Sequence, residues 1–394
     1  MIVIRDGRIL TMEGAVYECG SLLIEGGKIR AVGEDVRVPD GARVIDAKGC
    51  YVLPGFVDAH THLGLAGTAM RWEGADHNEV YEPVTPHLRS IDAINPFDPS
   101  FRETLEFGVT CVATSPGSAN VIGGQLAAMK TGGSNRVEGL VIRAPLAMKC
   151  ALGENPKWAY GQSKKISPLT RMGTAAIFRE AFFKAREYME KREGADNGKA
   201  PEFNMKHEAI IPLLKREIPV HIHAHRADDI HTAIRLIREF NLRGALIHCT
   251  DGHLIADDVL ESGLPALVGP TMGYKSKPEV ANKSFETINI LHKAGVKVCI
   301  TTDHPVIPLQ HLNVCAALSV QAGMDEAEAL KAISIYPAEI LNLHERVGSI
   351  KTGKDADIVI WNKNPIDITS HVLHTIIDGK VVYSRKTGDF ALKF

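Results

Sequence analysis

The hydrophobic and polar positions fall into three textures along the chain. From residue 1 to about 50, short runs of alternating or clustered β-branched residues occur at 2–4, 21–24 and 29–32. Asp6-Gly7 and Gly26-Gly27 supply turn signals between them. The end of the chain repeats this texture: 357–361 reads as a strand, and 375–383 as a hairpin turning at Asp378-Gly379. The middle alternates strand and helix patterns, with strands expected over 51–58, 108–114, 138–149, 218–224, 244–249, 264–269 and 296–302. Helices are expected near 97–107, 173–192, 203–216, 228–240, 254–262, 279–294, 310–322, 325–333 and 336–343. In 228–240, Ile230, Ala233, Ile234 and Ile237 recur at helical spacing, as on a face packed against a sheet. An alternating strand–helix middle predicts an α/β fold. Two β-rich ends predict one small sheet domain built from both termini, 1–50 plus 346–394, around a unit spanning 51–345. Residues 193–199 read as a polar surface loop. The stretch 59–98, rich in Pro, Gly, His and acids, is long for a connection, and such loops are often functional.

Composition narrows the function classes. The 394 residues are 45% hydrophobic and 23% charged with a formal net charge of −2, which offers no basic surface excess for nucleic acid. Seven scattered cysteines without a CxxC pair argue against a disulfide framework or zinc finger and for a reducing compartment. The first residues lack a signal-peptide profile, and no apolar run approaches the ~20 residues that span a bilayer, so a cytoplasmic protein without membrane partners is expected. No Walker, GxGxxG or Gly-x-Ser-x-Gly sequence occurs in a strand-turn-helix context.

The chemistry concentrates at strand ends. The run 52–62 is an apolar strand closing on His60-Thr61-His62, and residues two apart in a strand point to the same side. Residues 219–226 alternate His221, His223 and His225 before Arg226. His248 ends the apolar strand at 245–249, and Asp303 ends that at 298–303. Near 148–156, both Lys149 and Glu154 are candidates. Glu154 precedes an Asn-Pro turn at the loop end, whereas an inward lysine within the strand is costly unless modified or paired. Taken singly, each residue has a structural explanation, such as a hydrogen-bonded core histidine or an Asx turn. Jointly, imidazoles and carboxylates at successive strand ends describe a metal site at the C-terminal mouth of a parallel barrel.

With these motifs, the chain resembles the amidohydrolase superfamily, most closely its imidazolonepropionase-like and prolidase-like members. The resemblance rests on 54–62, the His223 and His248 strands, Asp303, and the closing segments 348–350, 353–359 and 377–382. It implies a (β/α)8 TIM barrel with a small β-sandwich domain formed by both termini. It also implies metal-dependent hydrolysis of amide or cyclic-amide C–N bonds in a small-molecule substrate, and a homodimer or higher homo-oligomer. His60, His62, His223, His248 and Asp303 match the ligand positions, with Glu154, or Lys149 as a carboxylated lysine, as the bridge between two ions. Either one or two divalent ions fit this pattern: Zn2+ first, with Mn2+, Fe2+ or Co2+ as alternatives. Asp303 would act as general acid and base, and His225 would stabilise the oxyanion ahead of His253 and His304. Arg226, His304, Gln125, Arg171 and Lys130 are candidates for lining the substrate pocket. Two other readings compete. A heterocycle deaminase would place an acid just beyond His223, where Ala224-His225-Arg226 has none; a non-catalytic binding barrel would have lost ligand positions.

Overall fold

The structure, a computed structural model, describes residues 1–194 and 200–385. From 195 onward, the loop expected at 193–199 lies outside the described residues, as does the end of the terminal domain beyond 385. The strands, in chain order, are β1 (Ile2–Leu10), β2 (Val16–Glu25), β3 (Lys28–Gly33), β4 (Arg43–Asp46), β5 (Tyr51–Pro54), β6 (Phe56–Thr61), β7 (Val109–Thr114), β8 (Ile122–Gln125), β9 (Ala127–Lys130), β10 (Val141–Arg143), β11 (Met148–Ala151), β12 (Val220–Ala224), β13 (Gly244–His248), β14 (Ala266–Val268), β15 (Val298–Ile300), β16 (Ile358–Trp361), β17 (Val372–Ile377) and β18 (Lys380–Ser384). Each expected helix is present; most are shorter than expected, whereas Arg171–Glu193, the longest among the described residues, exceeds the expected 173–192 and Ala227–Glu239 has the expected length. No helix among the described residues is long and apolar enough to cross a membrane.

Both ends of the chain enter one eight-stranded sheet, ordered β18-β17-β16-β5-β1-β2-β3 with β4 beside β1. The Asp378-Gly379 turn joins β17 to β18, at the position its sequence marks. The middle of the chain forms two further sheets, β10-β9-β7-β6 and β15-β14-β13-β12-β11-β8. From β11 to β15 the ladder is parallel throughout, and every residue of β11, β12, β14 and β15 is buried. Strands covered on both faces read as continuous apolar runs, as β14 and β15 do, whereas β11 and β12 bury Lys149, His221 and His223 among their apolar residues. Backbone bonds also run between segments beside the two sheets: Leu126, between β8 and β9, exchanges them with Leu146 and Ala147 just before β11, and His62 N–H donates to the His304 carbonyl at 2.8 Å. The fold is mixed α/β.

Two details depart from the sequence pattern. The segment 138–149 is not one strand but a helical turn, β10, a break and β11. Strands β8 and β9, which carry Gly123-Gly124 and Ala127-Ala128, have too little β-branched content to have been seen. Lys130 ends β9, which runs antiparallel to β7 and pairs Cys111 with Lys130. The lysine therefore emerges at the end of the strands opposite the histidines. There it is buried against Asp355, Asp357 and Asp378 of the terminal sheet. Burial works against the ammonium, but the three carboxylates hold its pKa above the ordinary lysine value. Asp355 also takes Lys28 and Arg346, and despite burial it is held down to about 2. The expected pocket role of Lys130 is thus replaced by a structural one, fastening the terminal sheet to the α/β unit.

Removing one member of a buried ion pair strands the other, at a cost of roughly 3–5 kcal/mol. Lys130→Met should lower the stability of the fold by that order in urea unfolding; an unchanged midpoint would contradict the fastening role. Because its pKa falls on folding, Asp355 contributes stability that is complete above about pH 4 and lost as pH falls toward 2. Asp355→Asn should therefore flatten the stability curve in that window.

Candidate metal centre

The period of two in β6 and β12 aims Asp58 and His60, and His221 and His223, to one side of their strands. His62, His225 and Asp303 follow just past strand ends, and His248 closes β13. Asp303 (φ 55°) and His248 (φ 74°) occupy the left-handed region, which non-glycine residues rarely adopt. Such strain clusters where the surroundings must hold a side chain in one place.

These side chains form two adjoining triads. His60, His62 and Asp303 make one, and His223, His225 and His248 the other; within each, the ligand atoms lie within 4.8 Å of one another. Asp303 Oδ1 is 3.2 Å from His60 Nε2 and 3.3 Å from His62 Nε2. The His223 and His248 rings are 4.4 Å apart, and the His60 and His248 rings 5.5 Å apart. Lys149, fully buried, places Nζ 3.0 Å from His60 Nε2.

The electrostatics suit a cation. His62 Nδ1 donates to the Ser115 carbonyl at 2.7 Å and His248 Nδ1 to the Gly269 carbonyl at 2.6 Å, which leaves each Nε2 as a lone pair facing the cluster. The His62 lone pair thus confronts the Asp303 carboxylate at 3.3 Å, an arrangement that a cation between them, or a second ring proton, reconciles. Nδ1 of His60, Nδ1 of His223 and Oδ1 of Asp303 are buried without hydrogen-bond partners. Burial, reinforced by Lys149, brings His60 down to about 3. Burial, reinforced by Lys277 at His223, by His248 at His225 and by His223 at His248, holds these three well below the ordinary histidine value. All four are neutral at neutral pH, the form in which an imidazole can bind a metal. Burial alone would raise Asp303, but His248, His60 and His62 hold it well below the carboxylate range. Burial takes Lys149 down to about 8 against the pull of Asp303. Five imidazoles and a carboxylate in two triads fit divalent transition metals.

Three groups that the sequence reading passed over hold this set. Asp58 receives Thr301 Oγ1 at 2.5 Å, Thr302 Oγ1 at 2.6 Å, and the backbone N–H groups of Thr302 and His60 at 2.9 and 3.1 Å. Burial nonetheless pushes it up to about 6. Glu279 Oε1 stands 3.5 Å from His223 Nε2 and 2.5 Å from Lys277 Nζ, and its other oxygen receives Glu154 N–H. His77 packs against His62, ring centroids 5.4 Å apart, and burial lowers it to about 4. The i−2 spacing of Asp58 before His60 was a usable signal. Glu279 and His77 lie on irregular segments where no periodicity marks them. A cavity of about 420 Å3 opens in front of the donors, lined by His62, His77, His223, His225 and Asp303 among others. A second, of about 460 Å3, adjoins it through Asn78, Ser118, Asn155 and Lys277.

Several expected residues lie elsewhere. Lys149, not Glu154, stands against the donors; the loop after β11 turns Glu154 toward the second cavity. His225 joins the second triad while still lining the chamber. Arg226 is exposed and paired with Asp228, and Arg171 grips Asp229, because each faces the helix Ala227–Glu239 rather than the chamber. Gln125 lies along β8 with Nε2 toward the Pro86 carbonyl. His304 accepts from Leu309 N–H and lines a neighbouring surface pocket, and His253 bonds Thr287. His221 is buried deeper in β12.

A profile of the amidohydrolase family matches residues 176–382, over half the chain, and a second profile of that description matches 43–84. The chain belongs to the amidohydrolase family. An amidohydrolase structure from Thermotoga maritima shares 40% identity at a TM-score of 0.95, covering 98% of this chain and 100% of that one. Amidohydrolase tasK of Hapsidospora irregularis is 30% identical over 93% of this chain, which spans only 40% of tasK. Imidazolonepropionase of Thermoplasma acidophilum is 25% identical over 94% of this chain and 90% of its own length.

In this amidohydrolase, Asp58→Asn should put an amide N–H₂ against groups that themselves donate. Leaving a buried donor unmet costs ~1–3 kcal/mol. Thermal unfolding should show a loss of that size together with weakened metal retention; wild-type stability and retention would remove Asp58 from the account.

Proposed function

We propose that this amidohydrolase family member is a metal-dependent hydrolase of C–N bonds in small amides or cyclic amides. The observation that carries the proposal is the pair of adjoining triads, with one carboxylate among imidazoles, lining a cavity of about 420 Å3. The imidazolonepropionase likeness points to the same bond class. In this reading the two α/β sheets are the halves of a (β/α)8 barrel over about 51–345, and the terminal strands form a sandwich-like domain from 1–50 and 346 onward. Two divalent ions, zinc foremost, would be held by His60, His62 and Asp303 and by His223 and His248, with His225 beside the second ion. Lys149, its Nζ 3.0 Å from His60 Nε2, would contribute to holding them as a carbamate, its neutral amine adding CO₂ with loss of a proton. Bound metal would supply an acidified water and polarise the scissile carbonyl. Asp303 then takes the proton of the attacking water on its carboxylate and passes it to the leaving nitrogen. His225, its Nδ1 fixed by Thr250 at 2.7 Å, presents Nε2 to the developing oxyanion. The adjoining cavity leaves room for a substituent beyond the scissile bond.

Deamination gains one observation as a second reading. The acid missing from the sequence beyond His223 arrives through the fold as Glu279. Its ties to Lys277 and the Glu154 amide make it a positioning group rather than a free proton carrier.

The test is hydrolysis of a panel of N-acyl amino acids, dipeptides and cyclic imides before and after chelation. Activity should vanish with the metal and return with Zn2+ or Mn2+, and Asp303→Asn should lower kcat by roughly 10²–10⁴-fold. Full activity after chelation, or in Asp303→Asn, would refute the proposal. Ammonia release from a heterocycle would favour deamination.

A further inference from the structure

The chamber wall contributed by the segment between β14 and the helix Glu286–Lys293 carries two lysines, and they are not equivalent. Lys277 is neutralised, with Nζ 2.5 Å from Glu279 Oε1 and 2.7 Å from Asn155 Oδ1. Lys283 has no carboxylate partner among the described residues. Its Nζ reaches only the carbonyls of Gly273 and Tyr274, at 3.2 and 3.4 Å, both on the same wall. Those contacts are long for an ammonium. Burial and the nearby charge of Lys277 pull its pKa below the ordinary lysine value, against the attraction of Asp303. The acids of the chamber are already committed, Glu279 to Lys277 and Asp303 to the imidazoles. With cations in the donor set the chamber is net positive, and Lys283 is the charge left without a counterpart.

We propose that Lys283 reads a carboxylate on the substrate, so that this enzyme acts on amides bearing a free carboxylate away from the scissile bond, as in N-acyl amino acids. The inference rests on the hydrolytic reading for which bond is cleaved; the anion contact itself rests on the chamber wall. A partly buried ammonium supplies a charge-assisted hydrogen bond to such a group and rejects an uncharged isostere, which leaves the ammonium desolvated and unpaired.

The test separates recognition from cleavage. Dissociation constants are measured by ligand-observed NMR on the zinc-loaded protein. The probes are levulinate, a keto acid with no amide to cleave, and methyl propyl ketone, its uncharged counterpart. Wild type should prefer the acid by at least about 10-fold. Lys283→Met should lose that preference with an unchanged unfolding midpoint, and Lys283→Arg should recover part of it. With any N-acyl amino acid that is hydrolysed, Lys283→Met should raise KM by a similar factor with little change in kcat. If Lys283→Met keeps the full acid preference, the anion is read by the metal centre and the proposal falls; it falls equally if wild type shows none. Acid preference without hydrolysis of any amide would leave the anion site standing and overturn the hydrolase reading instead.

Discussion

The whole site depends on one buried carboxylate. Asp58 stands two residues before His60 on the same face of β6 and takes four donors, three of them from Thr301 and Thr302. The Thr301 hydroxyl also lies 2.7 Å from the His60 carbonyl, so its one proton is shared between that oxygen and the Asp58 carboxylate. These bonds join the edge strand of one sheet to the edge strand of the other, at the place where His60, His62 and Asp303 must meet. Apart from them, the bond from His62 N–H to the His304 carbonyl at 2.8 Å also ties the two histidines to the segment that carries the aspartate. The left-handed backbone at Asp303 is the local consequence: the chain turns sharply after the threonines to bring the carboxylate back over the histidines.

Charge is segregated along the strand axis. At one end, imidazoles cluster with a lysine brought down to about 8 and with the low-pKa carboxylate of Asp303. At the other, Lys130 is surrounded by three aspartates and secures the terminal sheet. Both ends bury charge; the first leaves lone pairs unmet, whereas the second meets every ammonium with a carboxylate. That contrast separates a binding site from a structural clasp more clearly than burial does.

What was legible in the sequence follows from periodicity. His60, His62, His223 and His248 sit on or just beyond apolar strands whose period of two fixes the side they face, and Asp303 ends another such strand. The terminal hairpin was marked by Asp378-Gly379. Legibility failed where the backbone is irregular. Lys149 looked too costly to be buried, because sequence shows neither His60 Nε2 at 3.0 Å nor the nearby Asp303 charge. Glu154 looked well placed because its turn was visible, but the direction of that turn was not. Arg171 and Arg226 were drawn toward the chamber by chain proximity, when their partners Asp229 and Asp228 lie on the following helix. His77, Lys277, Glu279 and Lys283 come from long connections where only the folded chain shows what they touch. Strands β8 and β9 were hidden by their glycines and alanines.

The central claim is that the two clusters of donors hold two ions. Its most direct test is the metal content of the purified protein by elemental analysis, after dialysis against buffered zinc, for wild type, His60→Ala and His248→Ala. The account predicts two ions per chain in wild type and one in each variant that remains folded. No bound metal in wild type, or an undiminished count in both variants, would contradict it.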